Sequence, residues 1–102
     1  MKKKKSRIVR EKVGGEWYEY VPLGEHVVAA PGVCGGRPTF KYTRLEVAVI
    51  LDLIAAGRSV EQVLEQYPYS DISKESVQEA IQVAKNALMH SVQEVDSVRA
   101  AA

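Results

Sequence analysis

The hydrophobic pattern between residues 44 and 56 is that of a buried helix. Leucine, isoleucine, valine and alanine fill most positions, with two acidic residues after Arg44. A helix that is apolar nearly all round is buried on more than one side. Thr43 and Glu46 have the spacing of a reciprocal capping box, and Gly57 suits a left-handed C-terminal cap. We therefore predict a helix from Arg44 to about Ala56.

A second, shorter helix is predicted after this glycine. Ser59 and Gln62 form another capping-box pair. The apolar residues that follow have the i, i+3, i+4, i+7 spacing of one helical face: Val60, Val63, Leu64 and Tyr67. Because proline disfavours helical geometry at the preceding residue, Pro68 should end this helix.

A third helix is predicted to begin after Ser73, which can cap it, and Glu75 favours the positive end of its dipole. No glycine or proline follows, so the helix can extend from Lys74 to Arg99. A buried helix, a short helix, a bend and a long helix together suggest a helix-turn-helix. In that arrangement the third helix would enter a DNA major groove.

The N-terminal part of the chain has the pattern of a β-hairpin. Gly14 and Gly15 form a two-residue turn signal, and a tight turn would pair Arg10 with Glu19, Val9 with Tyr20 and Ile8 with Val21. Trp17 and Tyr18 would point to opposite faces. Short strands at 26–29 and 39–42 would pair as a small sheet or wing.

These elements predict a mainly α fold with a small β component. A β-hairpin and short strands precede a three-helix, winged-helix-like core and a long C-terminal helix. We divide the chain into a basic arm and hairpin (1–25), a helix-turn-helix core (26–90) and a helix extension (91–102).

Composition and charge narrow the class of protein. The chain has 102 residues and a net charge of +1. Residues 1–12 carry seven basic side chains against one acidic one. Charges and glycines occupy the place of a signal peptide's apolar segment, and no stretch is long enough to span a membrane. With the single cysteine, Cys34, this predicts a cytoplasmic protein.

Two sets of residues are candidates for DNA binding. On the third helix they are Lys74, Gln78, Gln82 and Lys85, since glutamine can bond adenine bidentately. Glu75 and Glu79 share that side and repel phosphate, so a merely solvated face is the alternative. In the N-terminal arm, Lys2, Lys3, Lys4 and Lys5 can neutralise phosphates or form a solubilising tail. Arg37 can hold a phosphate or a carboxylate, and for Arg44 an internal ion pair is expected.

The C-terminal helix continues an apolar seam beyond the three-helix core. Leu88, Val92 and Val95 would be exposed on a monomer, and such a stripe usually contacts a partner. We predict a homodimer contact or a docking surface there, with Arg99 and Trp17 as further interface candidates.

Catalytic chemistry has little support in the sequence. His26 and His90 lack carboxylate or cysteine neighbours at ligand spacing, and Cys34 has no adjacent histidine. No phosphate loop or dinucleotide fingerprint is present. We therefore expect a binding protein, with no metal, cofactor or enzymatic activity.

A combined motif runs through the middle of the chain: Gly35-Gly36-Arg37-Pro38-Thr39-Phe40, then Thr43-Arg44-Leu45-x-Val47, then Ala56-Gly57-Arg58-Ser59-x-Glu61-x-Val63-Leu64-x-x-Tyr67-Pro68. It resembles the family catalogued as domain of unknown function 433, over roughly residues 26 to 87. Tyr42 and Glu46 depart from the pattern, because the family usually has glycine and proline at these positions.

The resemblance implies a small dimeric helix-turn-helix or winged-helix protein. Several members of the family are similar to antitoxins encoded beside a PIN-like nuclease toxin. Our functional hypothesis is a DNA-binding antitoxin and autorepressor, with Arg99 as a candidate for entering the acidic site of the toxin. The alternative is a homodimeric protein-interaction module of the same shape that does not bind DNA.

Overall fold

The structure is a computed structural model that describes residues 7–101, with the side chains of 93, 94 and 96–101 excepted. Four strands come first: β1 (Val9–Val13), β2 (Glu16–Pro22), β3 (Val27–Ala29) and β4 (Pro38–Phe40). Three helices follow: α1 (Val47–Ala55), α2 (Val60–Gln66) and α3 (Lys74–Ala101).

The strands form one antiparallel sheet in the order β1-β2-β3-β4. The hairpin register is confirmed, with Val9 opposite Tyr20 and Arg10 opposite Glu19. Pairing of β3 with β4 is also confirmed. The prediction of a mainly α fold with a small β part is wrong, because the described chain is a mixed α/β structure with a prominent sheet.

The error came from the segment after β2. We predicted separate hairpin and wing units, but β2 also pairs with β3, through Val21 opposite Ala29 and Pro22 opposite Val28. Leu23 and Gly24 both donate backbone hydrogen bonds to the Val27 carbonyl oxygen, at 2.9 and 3.0 Å. The chain therefore turns between adjacent strands and joins the two units into one sheet.

The helices pack on one face of this sheet. Val27 of β3 and Phe40 of β4 meet Ile50 of α1, Val63 of α2 and Val77 of α3 in one buried cluster. On the other face a smaller cluster contains Tyr20, Val28 and Ala30. The alternation of side chains along the strands separates the two clusters.

The start of α1 differs from the prediction. The helix begins at Val47, and Glu46 at its N-cap makes no side-chain capping bond. Thr43 does not cap the helix, because its Oγ1 donates to the Phe40 carbonyl oxygen at 2.7 Å and accepts from the Leu45 N–H at 3.1 Å. The preceding Tyr42 has a φ of 68°, in the left-handed region that favours glycine. The chain therefore turns at 42–45, and the helix starts later.

The other helix boundaries agree well with the sequence. Gly57 has a φ of 100°, as expected for a left-handed cap. The capping box of α2 is confirmed in both directions: Gln62 N–H donates to Ser59 Oγ at 3.1 Å, and Ser59 N–H donates to Gln62 Oε1 at 2.8 Å. The division of the chain at residues 25 and 90 stays a prediction.

Candidate nucleic-acid interface

The third helix begins at a capping pair made of two serines. Ser73 Oγ accepts from the Ser76 N–H at 3.1 Å, and Ser76 Oγ accepts from the Ser73 N–H at 2.8 Å. Ser76, Val77 and Ala80 are buried and hold this end of α3 against the core. The side of the helix opposite to them is solvent-exposed.

The predicted DNA-binding residues of α3 share this exposed side. Lys74, Gln78, Gln82 and Lys85 are all exposed. At 3.6 residues per turn they fall within a sector of about 80°, over about 17 Å of helix. The sequence placed these four side chains correctly relative to one another. Gln78, Gln82 and Lys85 line one shallow depression together with Glu75, Glu79 and Ile81.

The carboxylate of Glu79 lies at the flank of this surface and accepts hydrogen bonds from the backbone at the start of β3. Its Oε1 accepts from the N–H of His26 at 2.6 Å and from that of Val27 at 2.9 Å, and its Oε2 accepts from the Glu25 N–H at 2.8 Å. Donors around the carboxylate offset part of its negative potential. Glu75 carries the second negative charge. The two lysines and the two glutamates therefore give this face a formal net charge of zero.

Gly24 leaves room for that carboxylate. A Cβ at this position would lie 2.7 Å from both Cδ and Oε1 of Glu79. This contact was not predictable from local spacing, because Glu79 lies more than 50 residues from the amides whose hydrogen bonds it accepts.

Arg37 is not part of the α3 surface. It precedes β4, where its Nε donates to Glu46 Oε1 at 2.9 Å and its Nη2 donates to Oε2 at 3.1 Å. These hydrogen bonds raise the pKa of Arg37 and lower that of Glu46. The internal ion pair expected for Arg44 is absent among the described side chains, whose ion pairs are Arg10 with Glu19 and Arg37 with Glu46.

The hairpin turns an aromatic and cationic face to solvent. Trp17 is 56% exposed. The Arg10 guanidinium carbon lies 4.5 Å from the Trp17 ring centroid, and Lys12 Nζ lies 5.2 Å from it. Arg10 also pairs with Glu19 at 2.8 Å. The alternation of side chains along the predicted strands could have identified this face from the sequence.

Tyrosines on the other face of the hairpin anchor it to the turn before α1. The hydroxyls of Tyr20 and Tyr42 each donate to a Glu11 carboxylate oxygen at 2.8 Å. The Tyr42 N–H donates to the Tyr18 hydroxyl at 3.0 Å. The hydrogen bonds from Tyr42 and Tyr20 lower the pKa of Glu11, and the bond to Glu11 raises the pKa of Tyr42. These contacts hold Tyr42 in its left-handed conformation.

Comparison with known proteins assigns the family. The sequence matches the family described as "Protein of unknown function (DUF433)" over residues 27–84. The chain belongs to this family. It is also similar to the uncharacterized protein y4eO of Sinorhizobium fredii (strain NBRC 101917 / NGR234), with 40% identity over 50 residues. That match covers 49% of this chain and 23% of the relative. No solved structure matches the chain.

The DUF433 segment covers β3, β4, α1, α2 and the part of α3 up to Ala84. The candidate DNA-binding residues of α3 lie within it, apart from Lys85. The hairpin of β1 and β2 and the second half of α3 lie outside it.

The part of α3 beyond the DUF433 segment exposes large apolar side chains. Leu88 is 64% exposed, Val92 47% and Val95 55%. Beside them, an apolar groove of about 360 Å³ runs between α1 and α3, with Leu51, Val83 and others in its lining. The exposure expected for these interface candidates is therefore present, while their partner stays a prediction.

The remaining predicted residues lie outside what the structure describes. Lys2, Lys3, Lys4 and Lys5 precede the described residues, and Arg99 lies on α3 with its side chain outside the described set. Among the side chains that the structure describes, no group of three or more His, Cys, Asp or Glu could hold a metal ion. No helix in the described part of this DUF433 protein is long and apolar enough to cross a membrane.

Proposed function

We propose that this DUF433 protein binds duplex DNA through the exposed face of α3. The observation that supports this most is the common sector of Lys74, Gln78, Gln82 and Lys85, opposite a side that is buried against α1 and α2. A helix packed in this way presents its polar side as a rigid unit. Lys74 and Lys85 lie about 17 Å apart along the helix axis, and a helix face of this length suits entry into a major groove.

The glutamines and the lysines of this face have different roles in the proposed DNA binding. Gln78 and Gln82 each offer a donor and an acceptor, which suits bidentate bonding to adenine. Lys74 and Lys85 flank them and can contact phosphates, which position the protein without selecting sequence. The three amide donors around Glu79 reduce the repulsion that its carboxylate would exert on DNA.

The proposed DNA-binding unit is a homodimer formed through the second half of α3. Leu88, Val92 and Val95 form an exposed apolar ridge, and the groove beside Leu51 and Val83 is lined almost wholly by apolar groups. Two-fold symmetry would bury ridge and groove of both copies in one interface. A dimer would also offer two recognition helices to a two-fold symmetric operator.

The biological role that we propose is an antitoxin and autorepressor paired with a PIN-like nuclease. Support for this step comes from the family resemblance of the central motif, and Arg99 is its candidate contact to the acidic site of the nuclease. A small nuclease gene directly beside this one, and co-purification of the two products, would support the pairing. Absence of such a neighbour would count against it.

Binding of the purified protein to the DNA upstream of its own gene tests the proposal. A salt series would compare the wild type with a Gln78→Ala, Gln82→Ala variant and a deletion of Lys2–Lys5. Gln66→Ala on α2 is the matched control. Sequence-specific binding that the double variant loses and the control keeps is expected. The role of α3 would be refuted if the wild type bound unrelated DNA as tightly as its own upstream DNA. It would also be refuted if the double variant bound the upstream DNA as tightly as the wild type.

A second candidate is a dimeric protein-interaction module that does not bind DNA. The formal balance of charges on the α3 face favours it, since Glu75 and Glu79 offset Lys74 and Lys85. Nucleic-acid affinity depends mainly on positive charge at the phosphates. A stable dimer in sedimentation that binds no DNA at low salt would support this alternative.

A further inference from the structure

The open face of the hairpin is a surface that neither the α3 proposal nor the family match explains. It lies outside residues 27–84, and it carries the one tryptophan of the chain. Trp17 is 56% exposed, although the opposite hairpin face is covered around Tyr20, which is 3% exposed. An indole left in water on a two-stranded ribbon costs solvation free energy, which a stacked ligand would recover.

Positive groups surround this indole. The Arg10 guanidinium and the Lys12 ammonium lie 4.5 and 5.2 Å from the ring centroid. Trp17 also lines a cavity of about 330 Å³ between β2 and the loop at Gly32 and Val33, and Arg44 is exposed in the same lining. Arg10 and Lys12 therefore lie against the indole ring, and Arg44 shares the cavity that Trp17 lines.

The acidic groups at this surface are Glu16 and Glu19, which also line the cavity. Glu19 is neutralised by Arg10 at 2.8 Å. With Arg10, Lys12 and Arg44 against these two carboxylates, the site keeps a formal charge of +1. The four lysines at Lys2–Lys5 precede β1 in sequence and add positive charge to this end of the chain.

The backbone beside the indole also offers polar groups. β3 pairs with β2 only at Val21 and Pro22. In the described chain, the edge of β2 from Glu16 to Glu19 is thus unpaired on the side of the cavity, because the chain turns away at Pro31. Its free N–H and C=O groups can bond the edge of a planar heterocycle that enters the cavity.

We propose that this face binds single-stranded nucleic acid, with a base stacked on Trp17 and phosphates held by Arg10, Lys12 and Arg44. Stacking on an exposed aromatic ring beside cationic side chains is how sequence-tolerant single-strand sites work. Duplex DNA does not fit this role, because its bases are already stacked and cannot reach the indole. A bilayer surface is disfavoured, since Trp17 and Ile8 are the large apolar groups exposed on this face. The site is independent of the α3 surface.

Tryptophan fluorescence gives a direct assay, because Trp17 is the single indole of the chain. Titration with a short oligothymidylate should quench the emission at low salt, and rising salt should weaken the binding. An Arg10→Gln, Lys12→Gln double variant should weaken binding about tenfold and flatten its salt dependence. Arg58→Gln, at an exposed position outside both proposed surfaces, is the control and should bind like the wild type.

A second measurement separates stacking from charge. Anisotropy of a labelled oligothymidylate should show a loss of affinity of about fivefold or more for Trp17→Ala, with Trp17→Phe retaining much of it. Urea midpoints close to wild type for all variants would show that the hairpin stays folded, because these side chains are exposed.

Several outcomes would overturn the proposal. The first is no quenching by oligothymidylate, and the second is equal quenching by a duplex. The third is quenching that Arg58→Gln removes and the Arg10, Lys12 variant retains. A blue shift with anionic phospholipid vesicles, without any response to oligothymidylate, would assign the face to a membrane surface instead. None of these outcomes bears on duplex binding by α3, so the two proposals fail separately.

Discussion

The substitution Glu79→Gln tests how α3 is fixed to the sheet. One glutamine oxygen can still accept from the His26 and Val27 N–H groups, whereas its amide NH₂ would face the Glu25 N–H, which lies 2.8 Å from Oε2 in the wild type. One hydrogen bond to a charged acceptor is thus lost, and two become neutral.

The expected cost follows from these three bonds. A hydrogen bond to a charged group contributes about 1.5–3 kcal/mol to stability, and a neutral one about 1 kcal/mol. The loss of one bond and the weakening of two sum to about 2.5–7 kcal/mol. Because Glu79 is half-buried and water can reach the Glu25 amide, we expect the lower end of this range, about 2.5–3 kcal/mol.

Urea unfolding followed by circular dichroism measures this difference. A small domain loses about 4–8 °C of Tm per kcal/mol, so thermal unfolding should show a drop of about 10 °C or more. Glu65→Gln makes the same chemical change on α2, where the side chain is exposed, and should stay within about 0.5 kcal/mol of the wild type. A Glu79→Gln protein as stable as this control would refute the argument.

Three further predictions concern neighbouring features. Gly24→Ala should lower the free energy of unfolding by displacing the Glu79 carboxylate. In urea unfolding, the Gly24→Ala, Glu79→Ala double variant should lose less stability than the two single variants together. Strict additivity would contradict this contact. Since hydrogen bonds lower the pKa of Glu11, its contribution to stability is present above its unfolded pKa and is lost as pH falls through its folded pKa. The stability gap between wild type and Glu11→Gln should therefore close between about pH 5 and pH 2, and a gap that widens would refute the assignment. Thr39→Val should raise stability by about 1 kcal/mol, because the Thr39 Oγ1 is buried without a hydrogen-bond partner in the described chain; a loss of stability on calorimetry would show that the hydroxyl is satisfied.

The parts of the fold that sequence predicted well depend on short-range chemistry. The capping box of Ser59 and Gln62 and the hairpin register at Gly14-Gly15 are fixed by residues close in the chain. The exposed sector of α3 follows from helical periodicity alone. For such features, interactions between residues close in the chain decide the local structure.

The errors come from contacts between motifs, which the spacing within each motif does not contain. The Thr43–Glu46 pair has the spacing of a capping box, but Arg37 bonds the Glu46 carboxylate, and the left-handed Tyr42 turns the chain before α1 begins. Pairing of β2 with β3 joined two predicted units into one sheet. Glu79 accepts hydrogen bonds from backbone N–H groups more than 50 positions away in the sequence. Spacing within one sequence holds no record of such contacts.

Amide chemical-shift mapping tests the central claim, duplex binding by α3, most directly. Isotope-labelled protein would be titrated with the duplex upstream of its own gene. We predict that the largest shift changes fall at Lys74–Lys85, with small changes at Ile50 and Val63 in the core. Absence of changes at Lys74–Lys85 at low salt, or changes confined to Leu88–Val95, would contradict the account and leave a protein-interaction module in its place.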